Sequence, residues 1–566
     1  SVRGASQAYG LSFTPGTWVE SIQITKGAGS VVNGYESISG QINTELIKPI
    51  NDIPFFLNAY GSTDSRFELN THFNTQLSQK WSSSLFVHGN TRVSKMDQNN
   101  DGFMDNPLAK QINVMNRYQY YDAEKGLVSF INFRYMNDKK QSGEVDFDPD
   151  RDRGATNRWG SEINTQRLDL ATKVGYVFKD MPFQSIGFQN AFTLHDQNSY
   201  YGLNVYDIKQ SSFYSNLIFN SIINNTKHKF ATGINFAYDN YNEFVGLTDY
   251  GRVDNSVGAF FEYTYDNDDN FSLVLGGRVD NHNRLGTFVT PRLHLRYNPW
   301  EKSVLRFSAG RGKRAANIFA ENQSLFASSR TFSILDTDGK IYGLNPEIAW
   351  NYGLSFNQKF QLFGRNGDAG FDLYRTDFQN QAVVDVMQSP QQVLFYNLKG
   401  KSYATSLQIE FNYELANRFS LRSAYKYYDI QTQYLSGVYQ RPLQAKHRFF
   451  GNLEYETGRS ESGSQWRFDA TYNWLGKQQL PVTASNPAQD RLPEFSPSYN
   501  LINAQVTHVF SSNFEIYVGG ENIGNYKQSK AILGAETPFG PTFDASIVYA
   551  PIFGQMYYAG LRFKIK

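Results

Sequence analysis

The chain has 566 residues, 16% of them aromatic, and its 54 basic and 53 acidic side chains leave a net charge of +1. That balance excludes the basic surplus a nucleic-acid partner requires, and the lack of any Cys excludes disulfides and thiolate metal sites. Mean hydropathy is -0.51, and no run approaches the ~18 apolar residues of a spanning helix.

Residues 1–49 alternate short β runs with glycine turns: Arg3-Gly4, Pro15-Gly16, Val19 to Gly27, Gly29-Ser30, Asn33-Gly34 and Gly40-Gln41-Ile42-Asn43. Lys26-Gly27-Ala28-Gly29-Ser30 lacks both the Gly-Lys-Ser/Thr ending and the helical continuation of a phosphate loop. We expect a first domain over 1–49 and a second over 50–566.

From about Pro54 the pattern is a strand rhythm. A first long connection, Ser94–Ile112, holds Asp97, Asn99, Asp101, Gly102, Phe103 and Asp105. Oxygen donors at positions one, three and five, Gly at six, a carbonyl at seven and Asp at nine follow the start of a calcium loop. Position twelve is Leu108, so the bidentate Glu is missing; Asp146, Asp148, Asp150 and Asp152 in the next long connection are candidates for the remaining ligands. The ordinary alternative is a solvated loop of Asx turns.

Beyond it, Leu168, Leu170, Val174, Tyr176 and Phe178 alternate with Asp169, Lys173 and Gly175. The same two-residue period returns over 289–297, 406–413, 466–474 and 557–566. A 180° period is a strand signal. The runs often reach the ~10 residues a tilted strand needs to cross a bilayer, where soluble strands average ~5–6. Each such strand shows lipid only its alternate residues, which reconciles polar composition with a membrane setting. Short connections (179–183, 298–301, 415–417, 511–513) and long ones (94–112, 138–164, 312–346, 477–496, 523–551) fit short turns at one rim and larger loops at the other. We count about 22 strands and expect an all-β, antiparallel transmembrane barrel wide enough to need an internal segment.

Sites for chemistry are sparse. The eight His form no metal-spaced cluster, although His282, near an expected outer turn, is a candidate haem or metal ligand; the seven Met are dispersed. Arg151, Arg153, Arg158, Arg311, Lys313 and Arg314 are basic loop residues that an anionic ligand would meet, or simply solvated charges. No HExxH, nucleophile elbow or Ser-His-Asp set with motif context is present, and we expect no enzyme.

The run Val19 to Asn43 resembles the second half of the plug domain of TonB-dependent receptors, with Arg3, Gly4, Lys26, Gly27, Ser30, Gly34, Gly40, Ile42 and Asn43 at the matching positions. Gly277-Arg278-Val279-Asp280, Pro291-Arg292, Gly310 to Ala315, Leu344 to Glu347 and Gly520 to Ile523 are similar to that family's barrel landmarks, in the same order. The wording around Val32 to Gln41 is similar to Bacteroidetes-type receptors. The resemblance implies a bacterial outer-membrane receptor, bedded in lipid and lipopolysaccharide, that imports a scarce nutrient, with a ferric siderophore as first expectation. It implies coupling to TonB-ExbB-ExbD, with a surface lipoprotein as a further candidate partner; no cofactor is required, and the calcium candidate of the 97–105 loop would be structural. The family's plug is longer than 49 residues, and its first half and TonB-contacting box have no counterpart here. The chain also ends Phe563-Lys564-Ile565-Lys566 rather than on an aromatic residue. A rival expectation is a barrel that serves as a structural or docking subunit, or that takes haem, a peptide or an oligosaccharide.

Overall fold

The computed structural model describes residues 4–566; Arg3 of the expected plug motif lies outside them. Twenty-two antiparallel strands close into one barrel. The first is Phe55–Ser62 and the last Met556–Ile565, which pair with each other (Ala59 opposite Leu561) and leave no open edge. The expected division between residues 49 and 50 falls in the link from Leu46 to Phe55.

Alternation sorts the side chains as the sequence pattern requires. Leu170, Phe188, Leu217 and Ile234 face outward and stay about half exposed, while Asn70, Asn113, Gln197 and Asn216 are buried toward the lumen. Such a surface is tolerable only against lipid. At the short-turn rim Trp81 packs against Tyr120 with ring centroids 5.2 Å apart and the planes tilted by 58°, as an interfacial girdle allows.

The connections 77–80, 123–126, 363–364 and 417–418 form that rim; 93–107, 144–159, 315–346, 381–401, 476–498 and 522–555 gather at the other. Length does not alternate strictly, because the long-loop rim also carries the tight turns 202–203 and 283–285. Strands there outrun the bilayer. Asn204–Ile223 has 20 residues and Asn225–Val245 has 21, about ten beyond the span, or about 25 Å of extra height. The expected connection 138–164 accordingly shrinks to 144–159.

The long loops fold over the mouth. Phe103, Trp159, Tyr206, Phe319, Phe326, Phe395 and Phe543 form a buried aromatic cluster. Beside it Thr331–Ile334 pairs in parallel with Gln392–Asn397, itself antiparallel to Ala382–Asp385. Inside the lumen residues 4–18 make 3-10 turns, followed by a hairpin of β1 (Val19–Lys26) and β2 (Gly40–Leu46).

Candidate ligand vestibule and its internal segment

The internal segment is tied to the wall residue by residue. Gly27 turns the chain out of β1 at φ +82°, a conformation open to glycine, and its N–H donates to the Ser39 carbonyl at 3.1 Å. Lys26 donates to Asp372 and lies 3.9 Å from Glu410 on the next strand. Ser30 donates to Glu262 at 2.7 Å and accepts from the Val32 N–H. Gly34 sits at φ +114°. Gly40 faces Lys26, Ile42 faces Ile24, and Asn43 donates to Gln23 at 3.1 Å. Gly4, at φ +60°, lies against Tyr241 and Gln210.

Two wall arginines grip this segment by its carbonyls. Arg278, fully buried with Asp280, bonds that carboxylate at 2.6 and 2.7 Å and reaches the Val31 carbonyl at 3.2 Å. Arg292 donates to the carbonyls of Gly29, Gly34 and Ser37. Gly310 and Gly312 allow close approach: a Cβ there would stand 2.5 Å from Ala28 and 2.6 Å from Ile38.

Above the segment lie two cavities, of about 340 and 770 Å³, that share Gln7, Glu36, Ser37, Gly40 and Arg314. The smaller is walled by Asp239, Asp254 and His282; the larger by Thr376, Tyr434 and Arg441, under Leu325, Pro481 and Ser546 of the loops. Arg314 is held by Glu321 (2.8 Å) and Glu347 (2.6 Å), and Arg330 by Asp544 (2.9 Å). The exposed Arg441 guanidinium, near Tyr434, has no hydrogen-bond or carboxylate partner among the described residues. The 315–346 loop is latched to the wall where Tyr342 and Arg252 meet on Glu243, the latter pair at 2.8 Å. Burial, then the Glu243 charge, pushes the Tyr342 hydroxyl well up.

Most basic loop candidates are committed internally. Arg151 pairs with Asp152 at 2.7 Å and Arg158 with Glu144 at 2.8 Å, while Arg153 lies over Tyr200. Arg311 reaches Gln379, and Lys313 donates to the Leu285 carbonyl beside Phe288. His282 accepts from the Arg284 and Leu285 N–H groups, capping a turn.

In the outer loop, Asp97 accepts from the Asp101 and Gly102 N–H groups, Asp101 from Phe103 and from the Asn99 amide, and Asp105 from Gln98. Burial raises the Asp105 carboxyl to about 6. The 144–159 loop knits to this one through Phe103 and Glu144. Asp148 instead caps the short helix Pro149–Asp152, and among the described residues no group of three or more His, Asp or Glu is placed to hold a metal. Asp372, Glu410 and Glu262 were not singled out from sequence; lumen parity was their only signal.

A family model described as TonB dependent receptor-like, beta-barrel matches residues 97–523. No curated protein matches in sequence. Among solved structures, a ferric enterobactin receptor of Pseudomonas aeruginosa (PfeA) superposes with TM-score 0.74 at 12% identity, over 98% of this chain and 86% of its own. The siderophore receptor PirA of Acinetobacter baumannii gives 0.71 at 13%, over 98% and 86%. Pseudomonas aeruginosa FpvA bound to a heterologous pyoverdine gives 0.71 at 13%, over 98% and 78%.

Proposed function

The chain belongs to the TonB-dependent receptor family, and on that premise we propose that it imports a ferric siderophore or related metal chelate across the outer membrane. The observation that carries this reading is the 770 Å³ vestibule floored by the internal segment and roofed by loops. A ligand seated there touches the element that must move, and binding can report to that element only if affinity differs between its two positions. We assign the pull to TonB-ExbB-ExbD. The hairpin also leaves Ile22, Ile24 and Ile42 more than half exposed in the lumen, which supports a further plug portion packing against that face.

The test is uptake of labelled iron, offered as a panel of siderophores and haem, in cells with and without the gene and with and without TonB. Loss for one chelate in both deletions is expected. Unchanged uptake across the panel refutes the chelate reading and shifts weight to another nutrient or a docking role.

Structural calcium at Asp97, Asn99, Asp101, Phe103 and Asp105 is proposed only as a stiffener of that loop. Millimolar calcium should slow proteolysis within residues 93–107 and Asp97→Asn should abolish the effect; equal cleavage with and without calcium refutes it.

A further inference from the structure

Lys110 and Lys139 stand directly opposite each other on the neighbouring strands Leu108–Asp122 and Leu127–Gly143. Gln111, Asn113, Met136 and Asp138 are buried toward the lumen, so the two lysines share the outward face with Ile112 and Tyr135, and both are exposed. Among the described residues neither ammonium has a carboxylate, hydrogen-bond or ring partner. The register continues sideways to neutral residues on both sides, Thr91 beside Lys110 and Asn164 beside Lys139.

Nearby lysines behave differently. Lys209, also exposed near this rim, has Asp196 at 3.2 Å, and Lys140 turns inward to Asp138. Like charges directly opposite on adjacent strands repel, so this outward pair carries a cost that no protein group offsets.

Height identifies what does. Tyr120 belongs to the girdle at the short-turn rim, and Lys110 is ten residues further along the same strand, about 25 Å up a tilted barrel wall, the thickness of the apolar band. The ammoniums therefore sit at the outer headgroup level. Directly below them come Ile112 and Asn137, and beneath that pair Val114, Tyr135 and Phe133 offer apolar surface.

We infer that Lys110 and Lys139 form a two-ammonium seat for a phosphate of an anionic outer-leaflet lipid, whose acyl chains lie on that surface. Phosphate suits lysine as a compact point charge, and one lipid engages both the charged pair and the apolar wall below it. A soluble anion would use only the first. The inference rests on the outer-membrane reading of the barrel and is independent of what it transports.

The test places the purified chain in phosphatidylcholine nanodiscs with and without lipid A and reads bound lipid A by native mass spectrometry. Affinity should fall about tenfold for each ammonium removed by Lys110→Ala and Lys139→Ala, the scale of a charge-assisted hydrogen bond, and the double Lys→Arg variant should retain it. Lys110→Glu, which supplies Lys139 with a partner, should raise thermal stability without lipid A and lose the response to it. Unchanged lipid A binding in the double alanine variant overturns the seat. Equal protection by inorganic phosphate overturns the lipid as its occupant. Strand-type circular dichroism of inserted protein separates either result from a failure of the barrel itself.

Discussion

Among the outer-loop side chains, Asp105 is one whose charge the fold sets. Burial, helped by the charges of Asp97 and Asp101 and opposed by the Gln98 hydrogen bond, leaves its carboxyl raised to about 6, above the ~3.9 of an unfolded aspartate. Between those values the folded loop holds a proton that the unfolded chain has lost. Its contribution is therefore complete below about pH 4 and disappears as pH rises through about 6. Hydrogen-exchange protection factors within 93–107, corrected for the intrinsic pH dependence of exchange, should be higher at about pH 5 than at about pH 7.5, and Asp105→Asn should flatten the difference. The spacing Asp97-x-Asn99-x-Asp101-Gly102 made this loop legible as a set of oxygen donors. What the spacing did not carry is that those oxygens turn to backbone N–H groups a few residues away, a local competition invisible to residue type.

At the scale of the hairpin, two contacts of similar appearance differ in weight. The Lys26 and Asp372 side chains keep 39% and 22% of their surface, so water screens the pair, and Lys26→Met should cost about 0.2–1 kcal/mol. Arg278 and Asp280 are fully buried, and Arg278→Ala leaves the carboxylate stranded at about 3–5 kcal/mol. Thermal unfolding in detergent should rank them so; the reverse order would move the anchor to Lys26. Lys26 nonetheless joins β1 to two neighbouring wall strands, so its loss should speed exchange across β1 and β2 while the barrel amides stay protected. The plug motif around Lys26 and Gly27 was readable because its glycines follow a fixed spacing. Its partners were not: Glu410 shows its lumen parity between Ile409 and Phe411, but which residue it meets depends on barrel register hundreds of positions away.

For the whole molecule, the closed barrel was the most legible feature, since alternation such as Leu168 to Phe178 persists wherever one face meets lipid and the other water. It faded where strands rise above the bilayer: Lys140, Gln141 and Ser142 are polar and partly exposed on both parities, so the period is lost and the expected connection starts before the strand ends. The parallel pairing of 331–334 with 392–397 was equally hidden, because barrel hairpins separate its partners. The segment lies inside the lumen and the loops over its mouth, so deletion of residues 1–49 should give larger single-channel conductance in planar bilayers than the intact chain; equal conductance would leave the loops as the barrier. The seam between Phe55–Ser62 and Met556–Ile565 carries a consequence in time. Every other wall pairing joins strands adjacent in the wall's chain order, whereas this one needs the first and last strands of the wall to meet. Until they meet the wall is an unfinished cylinder with two raw edges that lipid cannot hydrogen-bond. Closure therefore needs both outermost strands together, and loss of either yields not a slightly smaller receptor but a polypeptide with no place in a membrane.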